Sequence, residues 1–151
     1  MTLRQLLGKA LKSNEVLEVL RVYDLDVIYK VDVLQENIPD HYYCESPEGG
    51  FDLRFDEHQI LTTAFCYTIQ NGDRSAIERN LIGAPIYASF ESARSAGESL
   101  RIKTHVGENI RSLGRTLSFV RLDHADHSVH YEYVGGTLVM ITLMMPRDAV
   151  T

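Results

Sequence analysis

The sequence contains no tryptophan, two cysteines and four prolines among its 151 residues. Cys44 and Cys66 form neither a CxxC pair nor a metal-binding spacing, so they read as small hydrophobes rather than a redox or zinc device. No long apolar stretch follows Met1-Thr-Leu-Arg-Gln, which argues against a secretory signal. The longest apolar run, Leu138 to Met145, is far too short for a membrane span and contains Thr142. These absences lead to the expectation of a cytoplasmic protein without a structural disulfide. The phosphate-binding GxxxxGK[ST], the dinucleotide-binding GxGxxG and the nucleophile elbow Gly-x-Ser-x-Gly are all missing. The chain has no internal repeat and no low-complexity tract. With no catalytic signature, it is expected to bind rather than to catalyse, and to need no cofactor.

Basic charge is scarce in one third of the chain. Between Asn14 and His58 twelve carboxylates face only Arg21, Lys30 and Arg54, so this stretch carries −9. Residues 1–13 carry +3 and residues 59–151 are balanced, which gives the net −6. A concentrated negative field favours a basic partner and repels nucleic acid and anionic membrane. The later residues Arg94, Arg101, Lys103, Arg111, Arg115 and Arg121 lack an interleaved aromatic platform, which again argues against nucleic acid. Their plainer use is internal contact with the acidic third, and a solvated acidic face without any partner is the other reading of that charge.

The length suits one domain spanning 1–151. Thr2 and Gln5 form a capping-box pattern before Leu3, Leu6, Leu7, Ala10 and Leu11, and Ser13 or Asn14 can start a second helix striped by Val16, Val19, Leu20 and Tyr23. Val27, Tyr29, Val31 and Val33 suggest a strand within 24–37. Phe51, Leu53 and Phe55 alternate with Asp52, Arg54 and Asp56, the period of a half-buried strand, and a polar turn leads to a second strand over 60–69. Ser89 caps a third helix with Phe90, Ala93, Gly97 and Leu100 inward. Strands at 116–122, 128–134 and 137–145 form a meander whose second turn is Gly135-Gly136. The last strand is apolar on both faces, as a central strand would be. The expected class is α+β: a mainly antiparallel β-sheet with an N-terminal helical hairpin and one further helix packed on it.

Two constellations offer chemistry. Asp123-His124-Ala-Asp126-His127 followed by His130 supplies ligand types suited to zinc or another divalent ion. As a hairpin turn its side chains would diverge into solvent, with His130 in a strand opposite Glu132 or another surface residue, so a polar turn is the simpler reading and no metal site is expected. Glu78 and Glu91 are the remaining acid/base candidates, and nothing in the sequence places them together.

Eight tyrosines outweigh the missing tryptophan, and Tyr42-Tyr43 sits between Asp40 and Glu45. Exposed tyrosine among carboxylates suits a protein interface, since the ring supplies rigid area and the charges steer encounter. The alternative is one tyrosine in the core and the other anchoring a loop. The run Tyr42-Tyr43-Cys-Glu-Ser-Pro-Glu-Gly-Gly-Phe-Asp-Leu-Arg-Phe-Asp56, followed by Leu61-Thr-Thr-Ala-Phe-Cys-Tyr67, resembles small bacterial immunity proteins of the pyocin and polymorphic-toxin type. The helix start Phe90-Glu-Ser-Ala-Arg94 and the closing His130-Tyr-Glu-Tyr-Val and Met140-Ile-Thr-Leu143 are similar to the same group.

The resemblance implies a protein that binds and neutralises one cognate toxin and performs no catalysis. An acidic surface would then steer toward a basic toxin, such as a nuclease, or mimic its anionic substrate. Glu36, Asp40, Tyr42, Asp56 and Glu57 are the expected contact residues. Two other classes remain: a small metal-dependent enzyme using His124, Asp126 and His127, and a homo-oligomeric module, for instance a homodimer, pairing through a Met140–Met145 edge.

Overall fold

The computed structural model describes residues 1–31 and 39–146. Val33 and Glu36 therefore lie outside the described residues. One antiparallel sheet of eight strands organises the rest. The strands are β1 (Ile28–Lys30), β2 (His41–Ser46), β3 (Phe51–Phe55), β4 (Leu61–Tyr67), β5 (Lys103–Ser112), β6 (Arg115–Asp123), β7 (Ser128–Val134) and β8 (Thr137–Met144). Their spatial order is β1-β2-β3-β4-β8-β7-β6-β5. Two meanders thus meet at the β4–β8 seam, where Ala64 faces Leu143 and Cys66 faces Ile141. The α+β architecture and the central last strand are as the sequence predicts.

Alternation sends one row of side chains from every central strand into a single core: Phe51, Leu53 and Phe55 from β3, Leu61, Ala64 and Cys66 from β4, and Val129, Tyr131 and Tyr133 from β7. Burying each of the phenylalanine, leucine and valine side chains among them contributes about 2 kcal/mol. β8 would lose its phase over its length, but a bulge opposite Glu132–Tyr133 inserts an extra residue. The bulge lets Leu138, Ile141 and Leu143 all turn inward. A second bulge opposite Arg54–Phe55 keeps both Phe55 and Leu61 in the core.

Helices α1 (Leu3–Leu6), α2 (Asn14–Val22), α3 (Arg79–Ile82) and α4 (Phe90–Leu100) all contribute to that core. Tyr23, just past α2, packs edge-on against Phe51, and Phe90 of α4 packs edge-on against Tyr133. The Tyr131 and Tyr133 hydroxyls donate to the carbonyls of Pro85 and Tyr87, tying the connection between α3 and α4 to the same face. Gly97 lets α4 approach closely, since a Cβ there would lie 2.2 Å from Thr104 Oγ1.

Several local expectations are corrected. The capping box of Thr2 and Gln5 forms, but α1 lasts one turn instead of reaching Leu11. Gly8 turns the chain at φ +84, and Ala10 then bridges to Ile60 beside the start of β4. Leu100 is exposed because α4 ends at Arg101 in a left-handed conformation. β2, β5 and α3 were not predicted from sequence. β5 contains Gly107 and a bulge across Gly107–Ile110, which interrupts its alternation. The strand expected within 24–37 is, among the described residues, the three residues of β1, all exposed. Among the described residues no helix is long and apolar enough to cross a membrane.

Candidate protein-binding edge

The acidic third folds into the β1–β2–β3 end of the sheet. β2 carries Tyr42 and Tyr43 to opposite faces, so neither anchors a loop as one alternative had it. Tyr43 lies on the face away from the helices, where its hydroxyl donates to Asp52 at 2.8 Å. Asp52, 2% exposed, also accepts from Tyr67 at 3.0 Å and forms an ion pair with Arg74 at 2.7 Å. Burial and these bonds to the Asp52 carboxylate push the Tyr67 hydroxyl up to about 12 and raise Tyr43 as well. One of the twelve carboxylates is therefore a structural hub and no part of an exposed acidic surface.

Tyr42 faces the helix side opposite Phe55, and β1 places Tyr29 directly across from it, with ring centroids 4.9 Å apart. The Tyr29 hydroxyl donates to Asp40 at 2.6 Å. That hydrogen bond, with smaller contributions from burial and the charges of Asp40, Tyr42 and Glu57, raises the hydroxyl's pKa. Asp40 and Tyr42, expected as contacts from the sequence, thus meet Tyr29, which sequence reasoning placed only in a strand, and Glu57 lies near enough for its charge to act on the same hydroxyl. The signal for Tyr29 was available as a β-branched run bearing one tyrosine among acidic residues.

Asp56 has a different job. Its Oδ1 accepts from the backbone N–H groups of His58 and Ile60, closing the β3–β4 turn. It positions Glu57, which is exposed and lies 3.4 Å from His58. Glu36 lies outside the described residues.

The later arginines do not neutralise this end. Among the described residues Arg94 pairs with Glu91 and Arg121 with Asp123, and no ion pair joins the 94–121 group to the acidic third. The expected internal contact is replaced by separation, with carboxylates concentrated toward β1 and basic side chains toward β5. Glu91 is thereby occupied on the surface, and Glu78 precedes α3 without a side-chain capping bond.

The histidine turn is more ordered than expected. His124 and His127 stack face to face at 4.5 Å instead of diverging into solvent, and His127 bonds to Asp126 at 2.6 Å. Burial and the neighbouring His127 lower the pKa of His124. Asp123 turns to the other face, where it meets Arg121, His105 and Ser128. His130 lies opposite Arg121 and Thr142 in the ladder, and its ring stacks on Phe119 at 5.0 Å. Among the described residues no group of three or more histidine, cysteine, aspartate or glutamate side chains is placed to hold a metal ion. Cys44 and Cys66 are free and buried, and burial raises their thiols to about 11 and about 12.

The proposed Met140–Met145 edge for self-association does not exist, because β8 pairs on both sides, with β4 and with β7. A cleft of about 570 Å³ lies elsewhere, lined by Thr68, Ile77, Ile82, Ile86 and Leu138 with Arg79. Of the expected contact residues, the described ones, Asp40, Tyr42, Asp56 and Glu57, do not line it. Compared with known protein families, curated proteins and solved structures, the chain matches none.

Proposed function

We propose that the chain is an immunity protein that captures and neutralises a cognate bacterial toxin carrying a basic surface, such as a nuclease effector. The observation that carries this reading is the half-exposed cluster of Tyr29, Asp40, Tyr42 and Glu57 at the acidic end of the sheet. Two tyrosine rings in tilted contact supply rigid area, and the carboxylates around them steer a basic partner into place. The local resemblance of the 42–67 and 130–143 segments to immunity proteins points the same way. The protein acts by occlusion, as a stoichiometric inhibitor that performs no chemistry on its target.

Co-expression with the product of the adjacent gene tests this. A complex of roughly nanomolar affinity or better that restores growth to cells making the toxin is the expected result. Absence of both complex and rescue would remove the reading.

A further inference from the structure

The strand beside this cluster forms an edge of the sheet. β1 ends the sheet and pairs only with β2 among the described residues. Val27, Ile28, Tyr29 and Val31 are 37%, 54%, 51% and 50% exposed, a continuous apolar margin interrupted only by Lys30. Sheet edges are ordinarily protected by charge, proline or bulges, because their free backbone groups recruit other strands. Lys30 gives β1 little such protection, since its ammonium lies 4.9 Å from the Tyr43 ring centroid, over the open face of the sheet. The opposite edge differs. β5 carries Lys103, Glu108 and Arg111 along its length, a bulge across Gly107–Ile110, and Asn109 at φ +55.

The surroundings select the occupant of the open margin. A second β1 would add the charges of another Asp40 and Glu57 to the same margin, which like charge opposes. A basic segment meets them favourably. We propose that β1 accepts an extended basic segment of a partner protein as a ninth strand, with Val27–Val31 as the template. This rests on the protein-binding reading above and adds how the partner is held. Main-chain hydrogen bonds to β1 supply affinity, and alternate side chains of the incoming strand supply specificity. On the helix side those side chains meet Tyr29, Asp40 and Glu57, which favours lysine or arginine. On the open side they meet Ile28 and the lysine-capped Tyr43 ring, which favours an apolar residue. The recognised segment therefore alternates basic and apolar residues.

The test uses the full chain and an eight-residue peptide of alternating lysine and valine. Its counterpart carries methyl groups on the four central backbone nitrogens, which keeps the charge and removes strand pairing. Amide resonances and hydrogen exchange of the protein are followed during titration. Saturable binding that slows exchange within Val27–Val31, and affinity at least tenfold weaker for the methylated peptide, is the expected result. Equal binding of the two peptides, protection confined to other strands, or no saturable binding would each overturn the proposal. Growth rescue is read separately. Strand capture without rescue removes the immunity reading alone, and rescue without protection at β1 removes the docking mode alone.

Discussion

At one end of the sheet the three paired residues Ile28–Lys30 leave apolar side chains exposed, and among the described residues no further strand lies beside them. At the other, the ten residues of β5 present a bulged and charged margin. Each end also has one carboxylate ringed by donors on the face away from the helices. Asp52 receives Tyr43, Tyr67 and Arg74, while Asp123 receives Arg121, Ser128 and His105. The side chain of Asp52 is 3% exposed and that of Asp123 22%. The end with the open edge is therefore the one with the more deeply fixed hub. A margin that offers itself to another chain has to be held rigidly in register, and Asp52 joins β2, β3, β4 and the turn at Arg74 behind it. The neighbouring carboxylates oppose pairing of like copies at this margin, whereas a bulge and charged side chains blunt β5.

The largest effect that sharpens this contrast is on stability. Asp52→Ala removes a carboxylate only 3% exposed from Arg74 and two half-buried tyrosine hydroxyls and should cost about 3 kcal/mol. Asp123→Ala, at a carboxylate already 22% exposed, should cost about 1 kcal/mol. Urea unfolding of both variants measures the difference, and equal losses would erase the distinction between the two hubs. Next comes recognition. Reversing Asp40 and Glu57 to lysine should slow association with a basic partner about tenfold at low salt and flatten its salt dependence. Dissociation should change less, which stopped-flow or surface binding kinetics will show. Asp56→Lys, by contrast, also removes the acceptor of the β3–β4 turn and should lower stability.

A smaller effect separates the ends by pH. Burial and nearby Arg121 hold the His130 pKa below its ordinary value, so the folded state binds its proton less readily than the unfolded chain does. Stability is then fully present above the unfolded value of about 6.5 and falls as the pH drops below it. His124, held low by burial and by His127, adds to the same slope. His130→Phe should reduce the loss of thermal stability between neutral and mildly acidic pH, and an unchanged slope would assign it to other groups. The smallest effect concerns the β5–β6 turn. Leu113, 95% exposed, sits at φ +50 before Gly114 at φ +78. Leu113→Asn suits this left-handed pair and should raise stability by about 0.5 kcal/mol, measurable as a small rise in Tm.

Much of this was legible where one periodicity ran unbroken. Phe51-Asp-Leu-Arg-Phe55 declares a strand by alternation alone, Ser89 announces α4, and Leu138–Met145 reveals a central strand by being apolar on both faces. What escaped was set by contacts distant in sequence. β5 hides because its bulge resets the alternation and its side chains are charged. Asp52 looked like one solvent-facing carboxylate among twelve, and only the fold shows Tyr43, Tyr67 and Arg74 converging on it from three separate segments. Gly8 ends α1 although the leucine spacing continues past it, because Ala10 is needed beside Ile60. Of the expected contacts, Asp40, Tyr42 and Glu57 come together through charge and composition, whereas Tyr29 joins them only because β1 pairs in register with β2.

The β4–β8 seam has a temporal consequence. The β1–β4 meander and the β5–β7 meander are each built from neighbours in sequence, and such local hairpins close early. They can be joined into one sheet only after β8 has been synthesised, because it alone lies between β4 and β7. Until then β4 and β7, whose Ala64, Cys66, Val129 and Tyr131 are buried in the finished protein, each present a bare flank to the cell.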